Sequence, residues 1–225
     1  ADNLRLQAQL QDMLAEVRRK NAQLEASLER VRLMAATDHL TGLANRHGAC
    51  RRIDALADGK PVGIIIADLD NFKQINDAWG HNAGDQVLID AAKVLRDRLG
   101  ANDIVARWGG EEFLIVCPVT TLEETAQLAR RLCNRLAGGR LSAGEASIGV
   151  TGSFGVSRYV IGETLSNCLK RNDDALYAAK DMGRNRVVDY AEIADALGVE
   201  AGTAVEYLII VDQVVLLRVV GIGNW

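Results

Sequence analysis

Apolar and polar residues follow three successive patterns along the chain, and each pattern predicts a different kind of structure. Residues 1–36 carry apolar side chains at a seven-residue period, without a Gly or a Pro. Residues 37–189 alternate short β-branched runs with amphipathic stretches, and residues 190–225 include a long apolar run. We therefore predict a coiled-coil helix at 1–36, a globular domain at 37–189 and an apolar C-terminal extension of unknown role at 190–225.

The N-terminal heptads predict an intermolecular coiled coil. One seven-residue series comprises Leu10, Val17, Leu24 and Val31, and a second series, four residues later, comprises Leu14, Asn21, Leu28 and Ala35. Two such series are typical of the d and a positions of a coiled coil, and an Asn at an a position favours a parallel dimer in register. The alternative is one amphipathic helix lying on its own domain. The persistence of the repeat favours the parallel homodimer.

The middle segment predicts an α+β fold in which helices cover a sheet that contains a hairpin. A β-branched strand spans 61–70, and amphipathic helices span 82–99, 122–136 and 165–182. The strand-like runs 103–108 and 111–117 flank Gly109 and Gly110. Because Gly adopts positive φ without a steric penalty, we predict that these two glycines form a two-residue hairpin turn.

The C-terminal segment contains the run "EYLIIVDQVVLLRVVGIG" at 206–223. Charged and polar residues interrupt it, and it is short for a membrane-spanning helix. An additional packed element or an oligomer contact is favoured over membrane association. The pattern itself predicts no function for this segment.

Composition narrows the possible partners and the compartment. The net charge of −4 argues against a broad nucleic-acid-binding surface. The four cysteines are scattered without a CxxC pair, as is typical of reduced thiols, and no signal peptide is evident, so we expect a cytoplasmic protein. The chain begins in the middle of a helical pattern without an initiator Met, which suggests a fragment of a longer protein.

Carboxylates follow two of the predicted strands and form a candidate metal site. Asp68 and Asp70 lie at the end of the 61–70 strand, and Glu111 and Glu112 directly follow the two glycines. If the strand neighbours the hairpin, Asp68 and Glu111 converge. Oxygen ligands without His or Cys suit Mg²⁺ rather than zinc, and Mg²⁺ commonly completes its shell with water and substrate phosphates.

Candidate phosphate ligands accompany these acids. The stretch "NFKQ" at 71–74 predicts a turn into a short helix, whose free backbone N–H groups can hold phosphate oxygens. Lys73 lies within it, and Lys180 and Arg184 lie near the end of the domain. A single surface cation is weak evidence, but together with the carboxylates these residues are candidates for a site that holds a metal ion and phosphate.

Five stretches, in this order, resemble the GGDEF family of diguanylate cyclases. They are "DHLTGLANR" (38–46), "DLDNFKQINDAWGHNAGD" (68–85), "RWGGEEF" (107–113), "SFGVS" (153–157) and "NDDALYAAKDMGRNRV" (172–187). The signature here reads GGEEF, a variant of the family's motif. The resemblance implies a central, mainly antiparallel sheet flanked by helices, related to nucleotidyl-cyclase and polymerase palm domains. It also implies condensation of two GTP molecules into cyclic di-GMP with release of two pyrophosphates.

The resemblance implies a role for each matching residue. Asp68, the backbone carbonyl of Leu69 and Glu111 hold Mg²⁺ or Mn²⁺, Glu112 helps to hold a second ion, and Glu111 also accepts the proton of the 3′-hydroxyl. Lys73 steadies charge on the transferred phosphoryl group. The implied substrate contacts are Asn76, His81, Asp85, Lys180 and Arg184.

Guanine recognition also has a rationale in the side chains themselves. Guanine presents N1–H and an amino group side by side, and a carboxylate such as Asp85 accepts both, while an amide such as Asn76 adds a complementary contact. Adenine offers no such pair of donors. For His81, a substrate contact and a purely structural loop histidine remain alternatives.

The resemblance also implies a dimer, because two domains that each bind one GTP must face each other. A parallel coil raises the local concentration of the second domain, and such stalks in the family commonly connect to an N-terminal sensor domain, which this chain lacks. A receptor that has lost catalysis and a pure interaction module are the alternatives. Many members carry an Arg-x-x-Asp motif that mediates inhibition by the product. In this chain the Asp is present as Asp103, but Gly100 replaces the Arg, so we expect weak product inhibition.

Overall fold

The computed structural model describes residues 2–56, 62–118, 121–143, 146–159, 162–197, 205–211 and 214–219. The helices are α1 Asp2–Ala36, α2 Arg46–Asp54, α3 Phe72–Trp79, α4 His81–Arg96, α5 Leu122–Gly138, α6 Leu165–Asp181 and α7 Tyr190–Leu197. The strands are β1 Ala44–Asn45, β2 Val62–Leu69, β3 Ile104–Arg107, β4 Glu112–Pro118, β5 Leu141–Ala143, β6 Ala146–Ile148, β7 Gly152–Tyr159, β8 Val187–Asp189, β9 Val205–Val211 and β10 Val214–Val219. Two compact units result, Ala1–Thr37 and Asp38–Trp225.

The first unit is the single long helix α1. The heptad positions Leu14, Val17, Leu24 and Val31 are 47–62% exposed in the single chain. Within the helix, Lys20 forms an ion pair with Glu16 at 2.8 Å, one turn away. The helical conformation predicted for this segment is thus present, and its apolar stripe is accessible.

A six-stranded mixed sheet organises the second unit, with the strand order β1-β3-β4-β2-β7-β8. The four central strands pair antiparallel, and the short edge strands β1 and β8 pair parallel to β3 and β7. Every residue of β2 is buried, because helices cover both faces of this central strand. The prediction of a mainly antiparallel sheet flanked by helices is confirmed.

Alternate residues of β2 face two different hydrophobic clusters. Ile65, Ala67 and Leu69 pack in the cluster that includes residues of α4 and α5. Ile64 and Ile66 pack in the cluster that includes residues of α2 and α6. Because side chains alternate along a strand, the next residue on the α6 side after Ile66 is Asp68, at the end of the strand.

Helix α6 is held on the sheet by a buried amide. Asn172 is fully buried, and its Nδ2 donates to the carbonyl oxygens of Ile64 at 2.9 Å and Gly155 at 3.3 Å. A Cβ on Gly155 would lie 2.3 Å from the carbonyl oxygen of Asn172 and 2.6 Å from the backbone nitrogen of Leu176. The glycine in "SFGVS" therefore allows α6 to approach β7 closely, and this fixes the helix that carries Lys180.

The connection between β3 and β4 differs from the prediction. Four residues, Trp108–Glu111, separate the strands, rather than two. The positive-φ glycines of the described residues do not include Gly109 or Gly110. The prediction of a two-residue turn with positive φ was wrong. The N–H groups of Trp108 and Gly109 both donate to the carbonyl oxygen of Glu112, at 2.7 and 3.3 Å, so the backbone turns through a longer connection without positive φ at either glycine.

The C-terminal segment begins with a packed helix. Tyr190 and Ala194 of α7 are buried with Ala175 and Ala179 of α6. Further along, β9 and β10 pair antiparallel, while residues 198–204, 212–213 and 220–225 of the predicted apolar run and its flanks lie outside the described residues. Among the described residues, no helix has the length and hydropathy needed to cross a membrane.

Candidate functional site

The candidate site lies where β2 ends beside β4. Asp68 is paired in register with Glu112 on the neighbouring strand, so the two carboxylates project from the same face of the sheet. Glu111 precedes the strand, and its backbone carbonyl accepts a hydrogen bond from the N–H of Leu69 at 3.3 Å. Strand pairing therefore brings together Asp68, Glu111 and Glu112, three of the four residues predicted to be metal ligands. The fourth, Leu69, follows Asp68 directly.

A lysine from α6 reaches this group of acids. The Nζ atom of Lys180 lies 2.8 Å from Oδ2 of Asp68, whose side chain is only 8% exposed. Burial raises the pKa of Asp68, the hydrogen bond and charge of Lys180 oppose this rise, and the charges of Glu111 and Glu112 add to it. The site thus concentrates negative charge at a buried position and holds one compensating cation there.

This donor set fits a hard divalent cation. The side chains offer carboxylate oxygens only, and Lys180 shows that positive charge is stabilised at Asp68. Within the residues that the structure describes, no group of three or more Asp, Glu, His or Cys side chains forms a ready metal cage. An ion held here therefore needs further ligands from water or from a phosphate, which is the usual situation for Mg²⁺.

Arginine 107 shapes the loop that presents Glu111. Its Nε and Nη2 atoms donate to the carbonyl oxygen of Gly110 at 3.1 and 2.8 Å, and its Nη1 atom lies 3.3 Å from Oδ2 of Asp38. Burial raises the pKa of Asp38, but hydrogen bonds from Thr41 and the charge of Arg107 outweigh this effect, so the pKa lies below its usual value. The sequence patterns predict no role for Asp38 or Arg107, although an Arg two residues before the glycines was an available signal.

Trp108, the first residue of the same loop, has a cation over its ring. The guanidinium carbon of Arg46 lies 4.6 Å from the centroid of the Trp108 ring, a cation–π distance. A Cβ on Gly109 would lie 2.7 Å from Oε2 of Glu112. The first glycine of the signature therefore makes room for the glutamate side chain, which is a packing role rather than a dihedral one.

The predicted guanine ligands lie at the junction of α3 and α4. Gly80 separates the two helices with φ +82°, and its N–H donates to the carbonyl oxygen of Asn76 at 2.8 Å. A Cβ on Gly84 would lie 1.9 Å from Oδ1 of Asn76, so this glycine lets the amide lie against the backbone of α4. Asp85 follows directly and is exposed, so Asn76 and Asp85 are placed next to each other.

The remaining predicted ligands are exposed at the rim. His81 is the first residue of α4, and Lys73 lies in the first turn of α3 behind Asn71, which adopts a left-handed φ of 57°. Arg184 has φ 64° in the loop after α6, and its N–H donates to the carbonyl oxygen of Ala179 at 3.0 Å. Among the described residues, Lys73, His81 and Arg184 form no hydrogen bond or ion pair with Asp68, so the structure does not join them to the carboxylate group.

Asp70 has a different environment from Asp68. Its Oδ1 atom accepts a hydrogen bond from Ser153 at 2.7 Å, and its Oδ2 atom accepts hydrogen bonds from Thr151 at 2.7 Å and the N–H of Asn185 at 3.0 Å. Both oxygens are therefore used to tie β2 to β7 and to the loop that follows α6. This carboxylate is a structural link between segments of the site, and the sequence pattern alone did not separate it from Asp68.

The region of the inhibitory motif has a local structure of its own. Oδ2 of Asp103 accepts a hydrogen bond from the N–H of Gly100 at 2.8 Å. This contact closes the turn that precedes β3. Asp103, the residue of the inhibitory motif that this chain retains, thus has a structural role in this turn.

Comparison with known proteins agrees with this geometry. The family described as "Diguanylate cyclase, GGDEF domain" matches residues 35–186. The response regulator PleD of Caulobacter vibrioides is 39% identical over 176 residues, which cover 75% of this chain and 38% of PleD. The diguanylate cyclase DgcM of Escherichia coli is 37% identical over 174 residues, covering 73% of this chain and 40% of DgcM. The chain thus spans less than half the length of these curated relatives.

Solved structures show the same likeness in three dimensions. The coiled coil and GGDEF domain of DgcB from Caulobacter crescentus, in complex with c-di-GMP, match with a TM-score of 0.71 and 33% identity, covering 82% of this chain and 98% of that one. SiaD of Pseudomonas aeruginosa, in complex with its activator SiaC, matches with a TM-score of 0.68 and 32% identity, covering 84% and 75%. Sequence motifs, sheet topology and these matches agree that the chain belongs to the GGDEF domain family of diguanylate cyclases.

Proposed function

We propose that this chain is a diguanylate cyclase that condenses two GTP molecules into cyclic di-GMP and two pyrophosphates. The observation that carries the proposal is the pairing of Asp68 with Glu112 beside Glu111, with Lys180 at 2.8 Å from Asp68. Carboxylates that gather around one cation are suited to phosphoryl transfer, in which the protein mainly positions groups and neutralises charge. The names of the relatives support the choice of reaction.

The proposal assigns the divalent ion to Asp68, the carbonyl of Leu69 and Glu111, with Glu112 near a second position. Mg²⁺ or Mn²⁺ bound there would neutralise phosphate charge and lower the pKa of the attacking hydroxyl. Lys180 then leaves Asp68 and pairs with the terminal phosphates. A side chain that is 35% exposed has the freedom for this exchange.

The protein's own groups divide the remaining work. Glu111 accepts the proton of the 3′-hydroxyl, held in place because Arg107 fixes the adjacent carbonyl of Gly110. Lys73 and the first N–H groups of α3 face the phosphates, and Arg184 contacts the terminal ones. Asp85 accepts hydrogen bonds from N1–H and the amino group of guanine, the amide of Asn76 adds a complementary contact, and His81 contacts the substrate from the start of α4.

The dimer is the second part of the proposal. Two such domains must face each other, and we propose that α1 pairs in parallel with α1 of a second copy. The exposure of Leu14, Val17, Leu24 and Val31 supports this, as does the similarity to a structure that contains a coiled coil together with a GGDEF domain. Because GTP is the substrate, we place the reaction in the cytoplasm.

Turnover of GTP by the Glu111→Gln variant tests the assignment. The substitution keeps the size of the side chain but removes a metal ligand and the proposed base, so we expect cyclic di-GMP synthesis to fall by at least ~10²–10⁴-fold, the usual cost of losing a general base. The protein is incubated with GTP and Mg²⁺, and the products are separated by chromatography.

The matched control is Glu123→Gln, at an exposed glutamate in the first turn of α5. It should leave synthesis unchanged. Wild-type rates in the Glu111→Gln protein, or a wild-type protein that binds GTP without forming product, would contradict the proposal; the second result would identify a receptor that has lost catalysis.

A further inference from the structure

A cleft of about 630 Å³ opens beside α6, on the side of the sheet that carries Asp68. Trp108 and Arg46 line one part of it, and Asp173 and Tyr177 line another. Glu112 and Lys180 form the end that adjoins the candidate active site. The volume is that of an ordinary small-molecule site, and the guanine ligands Asn76 and Asp85 are not among its lining residues.

Aromatic surface is available in this α6 cleft. Tyr177 is 52% exposed, so a face of its ring is accessible to a ligand. Trp108 carries the guanidinium group of Arg46 on its ring, 4.6 Å from the centroid. Arrangements of aromatic rings with a neighbouring arginine accept planar bases by stacking.

Polar groups in the cleft can bind a ligand that carries both hydrogen-bond donors and a phosphate. Asp173 and Tyr177 lie one turn apart on α6, and no hydrogen bond to the Asp173 carboxylate is found within the part of the chain that the structure describes. Burial raises the pKa of Asp173, the charge of Glu112 adds to this rise, and the charge of Arg46 opposes it. Lys170, one turn earlier, adds an ammonium group to the lining.

We infer that the α6 cleft binds a phosphate-bearing guanine nucleotide at a site separate from Asn76 and Asp85. The base lies against Tyr177 and Trp108. The carboxylate of Asp173 accepts hydrogen bonds from N1–H and the amino group of guanine, a donor pair that adenine lacks. Lys170 and Arg46 contact the phosphate oxygens.

Occupancy of the cleft would also change activity. This effect on activity rests on the proposed function, whereas binding in the cleft does not. Lys180 and Glu112 belong both to the cleft and to the carboxylate group. A nucleotide whose phosphate draws Lys180 toward the cleft competes with the triphosphate of a substrate for the same cation. Binding of product or of excess GTP in the cleft would therefore lower the rate.

Equilibrium binding to the whole chain tests the inference. GTP and cyclic di-GMP are titrated separately by calorimetry in the presence of EDTA, which suppresses the metal-dependent site, and ATP is the comparison for base identity. We expect Tyr177→Ala to weaken binding by about tenfold, since loss of one stacked aromatic costs about that much. Lys170→Ala should weaken binding to a similar degree, because it removes a charged contact to the phosphate. Asp173→Asn should reduce the preference for guanine over adenine by a similar factor.

Two control variants make the result decisive. Lys93→Ala removes an exposed lysine from α4 and should leave binding unchanged, and Asp85→Ala should leave the EDTA-resistant binding intact. If only one of GTP and cyclic di-GMP shows the cleft-dependent binding, that one is the ligand. If binding disappears in Asp85→Ala but persists in Tyr177→Ala and Lys170→Ala, or if ATP binds as tightly as both guanine ligands, the inference is overturned while the proposed function stands. If no guanine nucleotide binds with or without Mg²⁺, both fail.

Discussion

At the scale of single residues, Asp68 and Asp70 show how neighbouring carboxylates come to differ. They lie two residues apart at the end of β2. Asp70 has both oxygens occupied by Thr151, Ser153 and the backbone of Asn185. Asp68 forms an ion pair with a partly exposed lysine and lies near the like charges of Glu111 and Glu112. Its carboxylate can therefore exchange this lysine for another cation. The environment of Asp68 is therefore the one that supports the proposed metal site.

The proposed choice of base also depends on single side chains. In Asp85→Ala we expect a higher Michaelis constant for GTP and reduced discrimination against ATP, because a site built to pair guanine donors leaves them unpaired after the change. Initial rates with each nucleotide measure this. Asp54→Ala, which removes an exposed carboxylate on α2, is the control, and equal use of GTP and ATP by the unmodified protein would refute guanine recognition.

Asp174 predicts a pH dependence of stability. Its Oδ2 atom is buried without a hydrogen-bond partner among the described residues. Burial raises its pKa from 3.8 to about 6, the charge of Lys170 opposes this rise, and the charge of Asp173 adds to it. The folded protein therefore holds this proton more tightly than the unfolded chain does, so the carboxylate destabilises the fold above about pH 6 and the cost fades as the pH falls toward 3.8.

The Asp174→Asn variant tests this sign. We expect it to be more stable than the wild type by on the order of 1–2 kcal/mol at alkaline pH, with the difference shrinking toward zero in acid. Urea denaturation, at one alkaline pH and one acidic pH, gives the free energies of unfolding. The difference in free energy of unfolding between Asp54→Asn and the wild type should not change with pH in this way. A constant difference between wild type and Asp174→Asn at both pH values would show that the charge of Asp174 is not the cause.

At the scale of elements, the contact between β7 and α6 positions the site. A Cβ at residue 155 would collide with the backbone of α6 at Asn172 and Leu176. We expect Gly155→Ala to lower the free energy of unfolding by about 1–3 kcal/mol, the typical cost of overpacking. It should also lower cyclic di-GMP synthesis, because Lys180 moves with α6.

Gly149→Ala is the matched control for this change. A Cβ at Gly149 meets nothing within 4 Å, so its urea midpoint and its activity should be close to those of the wild type. If Gly155→Ala unfolds at the same urea concentration as Gly149→Ala, the close approach of α6 to β7 is not a constraint on the fold.

At the scale of the whole molecule, the proposed dimer links α1 to catalysis. In Leu24→Asp, a charge enters the apolar stripe, so we expect dissociation and a specific activity that rises with protein concentration. Light scattering and rates measured over a dilution series test this. Gln23→Asp, next to the stripe, should remain dimeric and active. Full activity of a monomeric Leu24→Asp protein would remove the coil from the mechanism.

The sequence by itself determined the long helices, the buried central strand and the list of candidate ligands, but it did not predict α2 or α7. These are local properties: the apolar period specifies α4, α5 and α6 to within a few residues, and the motif of 68–85 carries the acids and the amide together. The α-helical state of residues 2–36 follows equally from composition and period.

Only the tertiary structure decided which acids share an environment and how the signature loop is held. The register of β2 and β4 places Asp68 opposite Glu112, and no local pattern contains the register of strands that are distant in sequence. The loop at Gly109 and Gly110 is shaped by Arg107, which also contacts Asp38, 69 residues away in sequence. Such contacts form only when the sheet has assembled, because strand pairing, and not local preference, brings these side chains within hydrogen-bonding distance.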